Sequence, residues 1–140
     1  IKEISRAYGA QCAVVSIDAK KNDAGDYEVF SNCGREATSK SPAEWSQEAE
    51  SLGAGEILIT SIDRDGSLQG YDIDLCKAVS DSVSIPVLGL AGAGNWKHFL
   101  EGFEKGGLSA VCTQNIYHFT ESSIASAKNF LTKNGIEVRL

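Results

Sequence analysis

The stretch Gly53–Asp72, GAGEILITSIDRDGSLQGYD, constrains the fold more than any other part of the chain. Its run of Ile57, Leu58 and Ile59, with Ile62 behind, is apolar on both faces of an extended segment. A strand of that kind is expected to be parallel and covered on each side. The run then opens onto Asp63, Asp65 and Gly66. In parallel α/β folds the chemistry sits at the carboxyl ends of strands, so these acids stand where a reacting group would be met.

The same grammar repeats along the chain. Strands are expected at Gln11–Asp18, Glu56–Ile62, Ile85–Leu90 and Ser109–Gln114. Helices are expected at about Pro42–Leu52, Asp72–Ser80, Asn95–Lys105 and Glu121–Lys133. Ser41 before Pro42 is a plausible helix cap, as are Asp72, Asn95 and Thr120 before the later helices. Gly53, Gly106 and Gly135 follow the periodic stretches, as helix-ending glycines do. Ile1, Ile4, Ala7 and Tyr8 form one apolar face of a helix that ends at Gly9. The long excursion after the first strand carries Tyr27-Glu-Val-Phe-Ser31 and Cys33-Gly-Arg-Glu, which read as a small β-hairpin over a strand end.

Alternating βα order fits either an open doubly wound sheet or part of a closed barrel. A closed eight-unit barrel needs about 250 residues, so four units in 140 make about half of one. The expectation is therefore an α/β chain, residues 1–140 as a single unit, built as a (βα)4 half of a TIM barrel. With 42% hydrophobic and 23% charged residues, such a unit can bury a core. A net charge of −6 with interspersed signs leaves no basic footprint for nucleic acid. No apolar run approaches the roughly 20 residues that span a bilayer, and the opening IKEISRAYGA lacks the apolar centre of a signal peptide. Cys12, Cys33, Cys76 and Cys112 are scattered without a C-x-x-C pair. Cys12 and Cys112 fall inside expected strands, as small apolar residues would. Neither a disulfide framework nor a structural metal site is expected, and a reducing cytoplasm is the default.

The segments VVSIDAK (Val14–Lys20), GAGEILITSIDRDGSLQGYD, IPVLGLAGAGNWKHF (Ile85–Phe99) and NIYHF (Asn115–Phe119) resemble the carboxyl-terminal half of the cyclase subunit of imidazole glycerol phosphate synthase. The resemblance runs over essentially the whole chain. It implies units five to eight of an eightfold βα barrel, with units one to four not in this chain. It implies a cytoplasmic lyase of histidine biosynthesis that needs no cofactor and no metal. Such enzymes take ammonia from a glutaminase subunit and close an imidazole ring on a bis-phosphorylated ribulosyl substrate. The products are imidazole glycerol phosphate and an aminoimidazole carboxamide ribotide.

Asp18 and Asp65 are the candidate catalytic groups. A carboxylate at a barrel mouth can move protons, although an acid at a loop start, and the D-G dipeptide of Asp65-Gly66, also suit a plain turn. The resemblance implies a second acid–base aspartate near the end of the first barrel strand, outside this chain, so this chain alone is expected to be inactive. Asp63 could orient the loop, and Thr60 or Ser61 should point a hydroxyl into the barrel. Gly92, Ala93 and Gly94, with the helix start at Asn95, are candidate phosphate binders, and so are Gln114 and Asn115 across from them. Glu56, at the amino-terminal end of its strand, is by resemblance part of an ammonia gate.

The sequence departs from the family where most members have serine-glycine-glycine against Leu90-Ala91-Gly92, and alanine-serine against Gln114-Asn115. A paralogous group found with surface-polysaccharide genes resembles the same subunit and is associated with ammonia delivery for sugar amidination. Its reading for this chain is a non-cyclising ammonia conduit. A third reading is a scaffold that pairs its free sheet edges with a second copy of itself or with an amino-terminal half. His98 and His118 are expected to serve packing rather than catalysis, and Cys33 has no histidine evidently paired with it.

Overall fold

A computed structural model describes residues 1–114, 116–119 and 123–139. The elements are α1 (Lys2–Tyr8), β1 (Val14–Lys21), β2 (Tyr27–Ser31), β3 (Glu36–Ala37), α2 (Pro42–Ser51), β4 (Glu56–Ser61), α3 (Ile73–Ser80), β5 (Val87–Leu90), α4 (Trp96–Glu104), β6 (Ala110–Val111), α5 (Ile116–Phe119) and α6 (Ile124–Lys133). Short 3-10 turns occupy Ala10–Cys12 and Ile62–Arg64.

Local sequence explains the helix starts. Ser41 caps α2 in a reciprocal capping box with Glu44, and Pro42 follows it. Asp72 and Asn95 cap α3 and α4 with their side-chain oxygens. Ser123 caps α6, whereas Thr120 and Glu121 lie outside the described residues. Gly53 and Gly135 take the positive φ expected after α2 and α6, but after α4 it is Gly107, not Gly106, that does so.

The sheet runs in the order β3-β2-β1-β4-β5-β6. Its β1, β4, β5 and β6 are mutually parallel; β2 returns antiparallel along the outer side of β1, and β3 pairs antiparallel with β2. This is an α/β half-barrel of four βα units. In register, Ile17 lies beside Ile59 and Ile59 beside Gly89, and in the next row Asp18 lies beside Thr60 and Thr60 beside Leu90. Alternation then separates two faces. Ile17, Ala19, Ile57, Ile59 and Val87 point to the helices and are buried against Ala49, Leu75, Cys76, Val79 and Phe99. Val14, Ser16, Asp18, Leu58, Thr60, Leu88 and Leu90 share the opposite face, which the helices leave uncovered.

That second face corrects the expectation of a strand covered on both sides: Leu58 and Leu88 are only half-buried. Three local expectations also change. Asp18 does not end β1, because β2 turns back and pairs with Asp18 through Lys21, so the strand continues. Cys12 sits in an exposed 3-10 turn rather than a strand, its thiol directed to the Tyr8 carbonyl at 3.4 Å. Cys112 lies just past the two-residue β6.

All four cysteines are free. Cys76 is buried, and burial pushes its thiol pKa up to about 12. Among the described residues, no helix is long and apolar enough to cross a membrane. Helix α1 forms as expected, but Ile4 is 48% and Tyr8 71% exposed, so its apolar face stays largely open among the described residues.

These burials set opposite outcomes for two isoleucine truncations. Ile59→Ala should destabilise by about 2–5 kcal/mol, whereas Ile4→Ala should fall within about 0.5 kcal/mol of wild type, read from urea unfolding curves.

Candidate functional site

The carboxyl ends of the parallel strands carry a cavity of about 160 Å³. It is lined by Thr60, Asp65, Gly66, Leu68, Leu90, Ala91, Gly92, Ala93, Thr113 and Gln114. Three successive strand-to-helix connections, those after β4, β5 and β6, thus contribute to one wall system. Thr60 and Leu90 are neighbours in the sheet and face the same side. Asp18 lies beside Thr60 on that face, about 5 Å away across the ladder. Asp65 enters from the loop that follows β4, and its side chain is exposed.

The loops are held by close backbone contact. The Gly70 amide donates to the Gly92 carbonyl at 2.7 Å. Gly92 has φ +90°, and a methyl built on it would stand 2.2 Å from the Gly70 oxygen. A methyl on Gly94 would stand 2.3 Å from the Leu68 oxygen. Glycine is required at these two positions because backbone crosses backbone there. The first turn of α4 is satisfied internally: Asn95 Oδ1 accepts the amides of Lys97 (2.9 Å) and His98 (3.3 Å). The Gly94 amide donates to His98 Nδ1 at 3.0 Å.

A second network anchors the hairpin to the same loops. Tyr27 donates its hydroxyl to Asp72 Oδ1 at 2.6 Å, and the Leu75 amide donates to the same oxygen. Burial, followed by the neighbouring Asp72 carboxylate, holds the Tyr27 phenol well above its ordinary range. Ser61 donates to Asp72 Oδ2 at 3.4 Å. The Lys21 amide donates to Asp63 Oδ2 at 3.2 Å, so Asp63 ties the β4–α3 loop to the end of β1.

Thr60, Asp65, Gly92, Ala93 and Gln114 therefore meet at one cavity, with Asp18 beside Thr60; Gly94 follows Ala93 in the chain but does not line the cavity. Ser61 does not join them. One residue further along β4, it turns to the helix side, is 3% exposed and serves Asp72. Asn115 lies outside the described residues. Glu56 is the first residue of β4, beside Val14, at the opposite end of the sheet from the cavity.

A profile of a family described as histidine biosynthesis protein matches residues 1–123. The chain belongs to that family. Its members are enzymes of histidine biosynthesis with a TIM-barrel fold, which the half-barrel and its strand-end cavity fit.

Within this family member, several site residues were not evident from sequence. Thr113 follows the last short strand and was legible only as the end of a longer expected strand. Leu68 reaches the cavity with φ 58°, a left-handed residue in a loop whose course no local pattern announces. Tyr27 and Asp72 are 45 residues apart, and nothing in either segment marks the pairing.

Two substitutions test the loop and hairpin contacts. Gly92→Ala should cost about 2 kcal/mol or more in urea unfolding, because strain and a backbone clash add. Gly25→Ala has a similar φ of +89° but open space around it, and should cost only about 1 kcal/mol. The raised Tyr27 pKa has a fixed sign. Its stabilising effect is complete below the ordinary tyrosine pKa of about 10 and is lost as pH rises beyond it, because the unfolded chain ionises first. Unfolding monitored from pH 8 to 11 should therefore show a shallower alkaline loss of stability in Tyr27→Phe than in wild type.

Proposed function

We propose that this chain is the carboxyl-terminal half of the cyclase subunit of imidazole glycerol phosphate synthase. It would use ammonia from a glutaminase subunit to form imidazole glycerol phosphate and aminoimidazole carboxamide ribotide. The observation that carries the reading is Asp18 beside Thr60 on the uncovered face, next to a cavity that also takes Asp65. In this reading Asp18 moves protons during ring closure, and Asp65 holds a substrate hydroxyl or assists that transfer. Thr60 and Gln114 orient the substrate, and one phosphate meets the Gly92–Gly94 loop. Glu56, at the other end of β4, faces incoming ammonia. The uncovered sheet face and the largely open apolar face of α1 suit closure by an amino-terminal half, or by a second copy of this chain.

One observation favours a second reading. Leu90 and Gln114 line the cavity, where most cyclase relatives have small or hydroxyl-bearing residues. A non-cyclising ammonia-delivery protein of amidino-sugar synthesis would tolerate that crowding.

The test is turnover with free ammonia and the ribulosyl substrate, using this chain reassembled with an amino-terminal half that bears the other aspartate. Cyclisation is expected, with Asp18→Asn lowering kcat by about 10²–10⁴. A well-folded complex that stimulates glutaminase yet never cyclises the substrate would favour the second reading.

A further inference from the structure

His98 is half-buried in the first turn of α4. Its Nδ1 accepts the Gly94 amide at 3.0 Å. Its Nε2 lies 3.2 Å from Asn95 Nδ2. The Asn95 amide cannot reverse to suit the ring, because its Oδ1 already accepts the Lys97 and His98 amides. Only one ring nitrogen of a neutral imidazole can accept, and the Gly94 bond takes Nδ1 as that acceptor; the proton then sits on Nε2, whose approach to Asn95 Nδ2 is a close contact and not a hydrogen bond. The ring also lies beside Gly70, where an added methyl would be 3.4 Å from its Cδ2. Gly70 is the residue that donates to Gly92. The imidazole thus stands where the β4–α3 and β5–α4 loops meet, behind the cavity wall.

We propose that His98 is the positioning residue of this site. Its bare Nδ1 holds the Gly94 amide back toward α4, withholds that N–H from the ligand and sets the loop shape that an anionic group meets. This rests on reading the Gly92–Gly94 loop as the anion-facing element of the proposed function. The role is separate from packing, because it depends on one acceptor atom rather than on the volume of the ring. An asparagine there can place Oδ1 near the Nδ1 position and keep the acceptor, whereas alanine removes it.

The test uses the full chain, ¹⁵N-labelled, with inorganic phosphate as probe at fixed pH. Wild type should show the ring ¹⁵N signature of an unprotonated Nδ1. His98→Ala should speed Gly94 amide exchange by about tenfold and tighten phosphate binding by about fivefold, as the freed donor becomes available. His98→Asn should return both to wild-type values. A protonated Nδ1 in wild type, Gly94 exchange unchanged in His98→Ala, or faster exchange with unaltered phosphate affinity would each overturn the proposal. No phosphate binding by any variant, with Gly94 exchange changing as stated, would remove the anion reading of the loop and still support His98 as its positioning residue. Should His98→Ala fail to fold, the wild-type ring signature and the His98→Asn exchange rates decide the matter.

Discussion

The register of the β1–β4–β5 ladder governs the rest of the structure. Side chains alternate along a strand, so a slip of one residue would send every helix-facing side chain to the open face. With Ile17 beside Ile59, the core gains its apolar layer, and Asp18, Thr60 and Leu90 fall together on the other side. The burial that stabilises the sheet is thus the same constraint that assembles the polar residues. Ser61 marks the limit of the arrangement: one step past Thr60, it belongs to the core side and bonds Asp72.

The loops complete what the register begins. Gly70 and Gly92 bring two backbones into hydrogen-bond contact, and neither neighbouring loop could approach as closely with a side chain between them. Asp72 and Asp63 are acids of the same segment, yet both are spent on holding the hairpin and β1 in place. Asp65 differs from them, since it is the one of the three that lines the cavity. Three nearby aspartates therefore have separate tasks that follow from where the chain turns.

Much of this fold was legible because its signals are local. Ser41, Asp72 and Asn95 start helices through their own side chains, and the run Ile57–Ile59 marks a strand, although only Ile57 and Ile59 of it are buried. What escaped the sequence depends on distant pairing. An unbroken apolar run does not say which of its residues faces the helices, so Thr60 and Ser61 could not be told apart. The extension of β1 past Asp18 exists only because β2 folds back on it. Cys12 reads as apolar strand material, but the chain is still turning out of α1 at that point. His98 was expected only to pack, and nothing in its segment says that the ring accepts the Gly94 amide.

The proposed function requires one ligand to span the carboxyl ends of β1, β4, β5 and β6 on the uncovered face. Titrating the labelled chain with imidazole glycerol phosphate and following its backbone amides tests this most directly. Shifts shared by Asp18, Thr60, Asp65, Thr113 and Gln114, with Glu56 and the α2 start unmoved, are the predicted result. Shifts confined to the hairpin and α2, with those five amides silent, would contradict it.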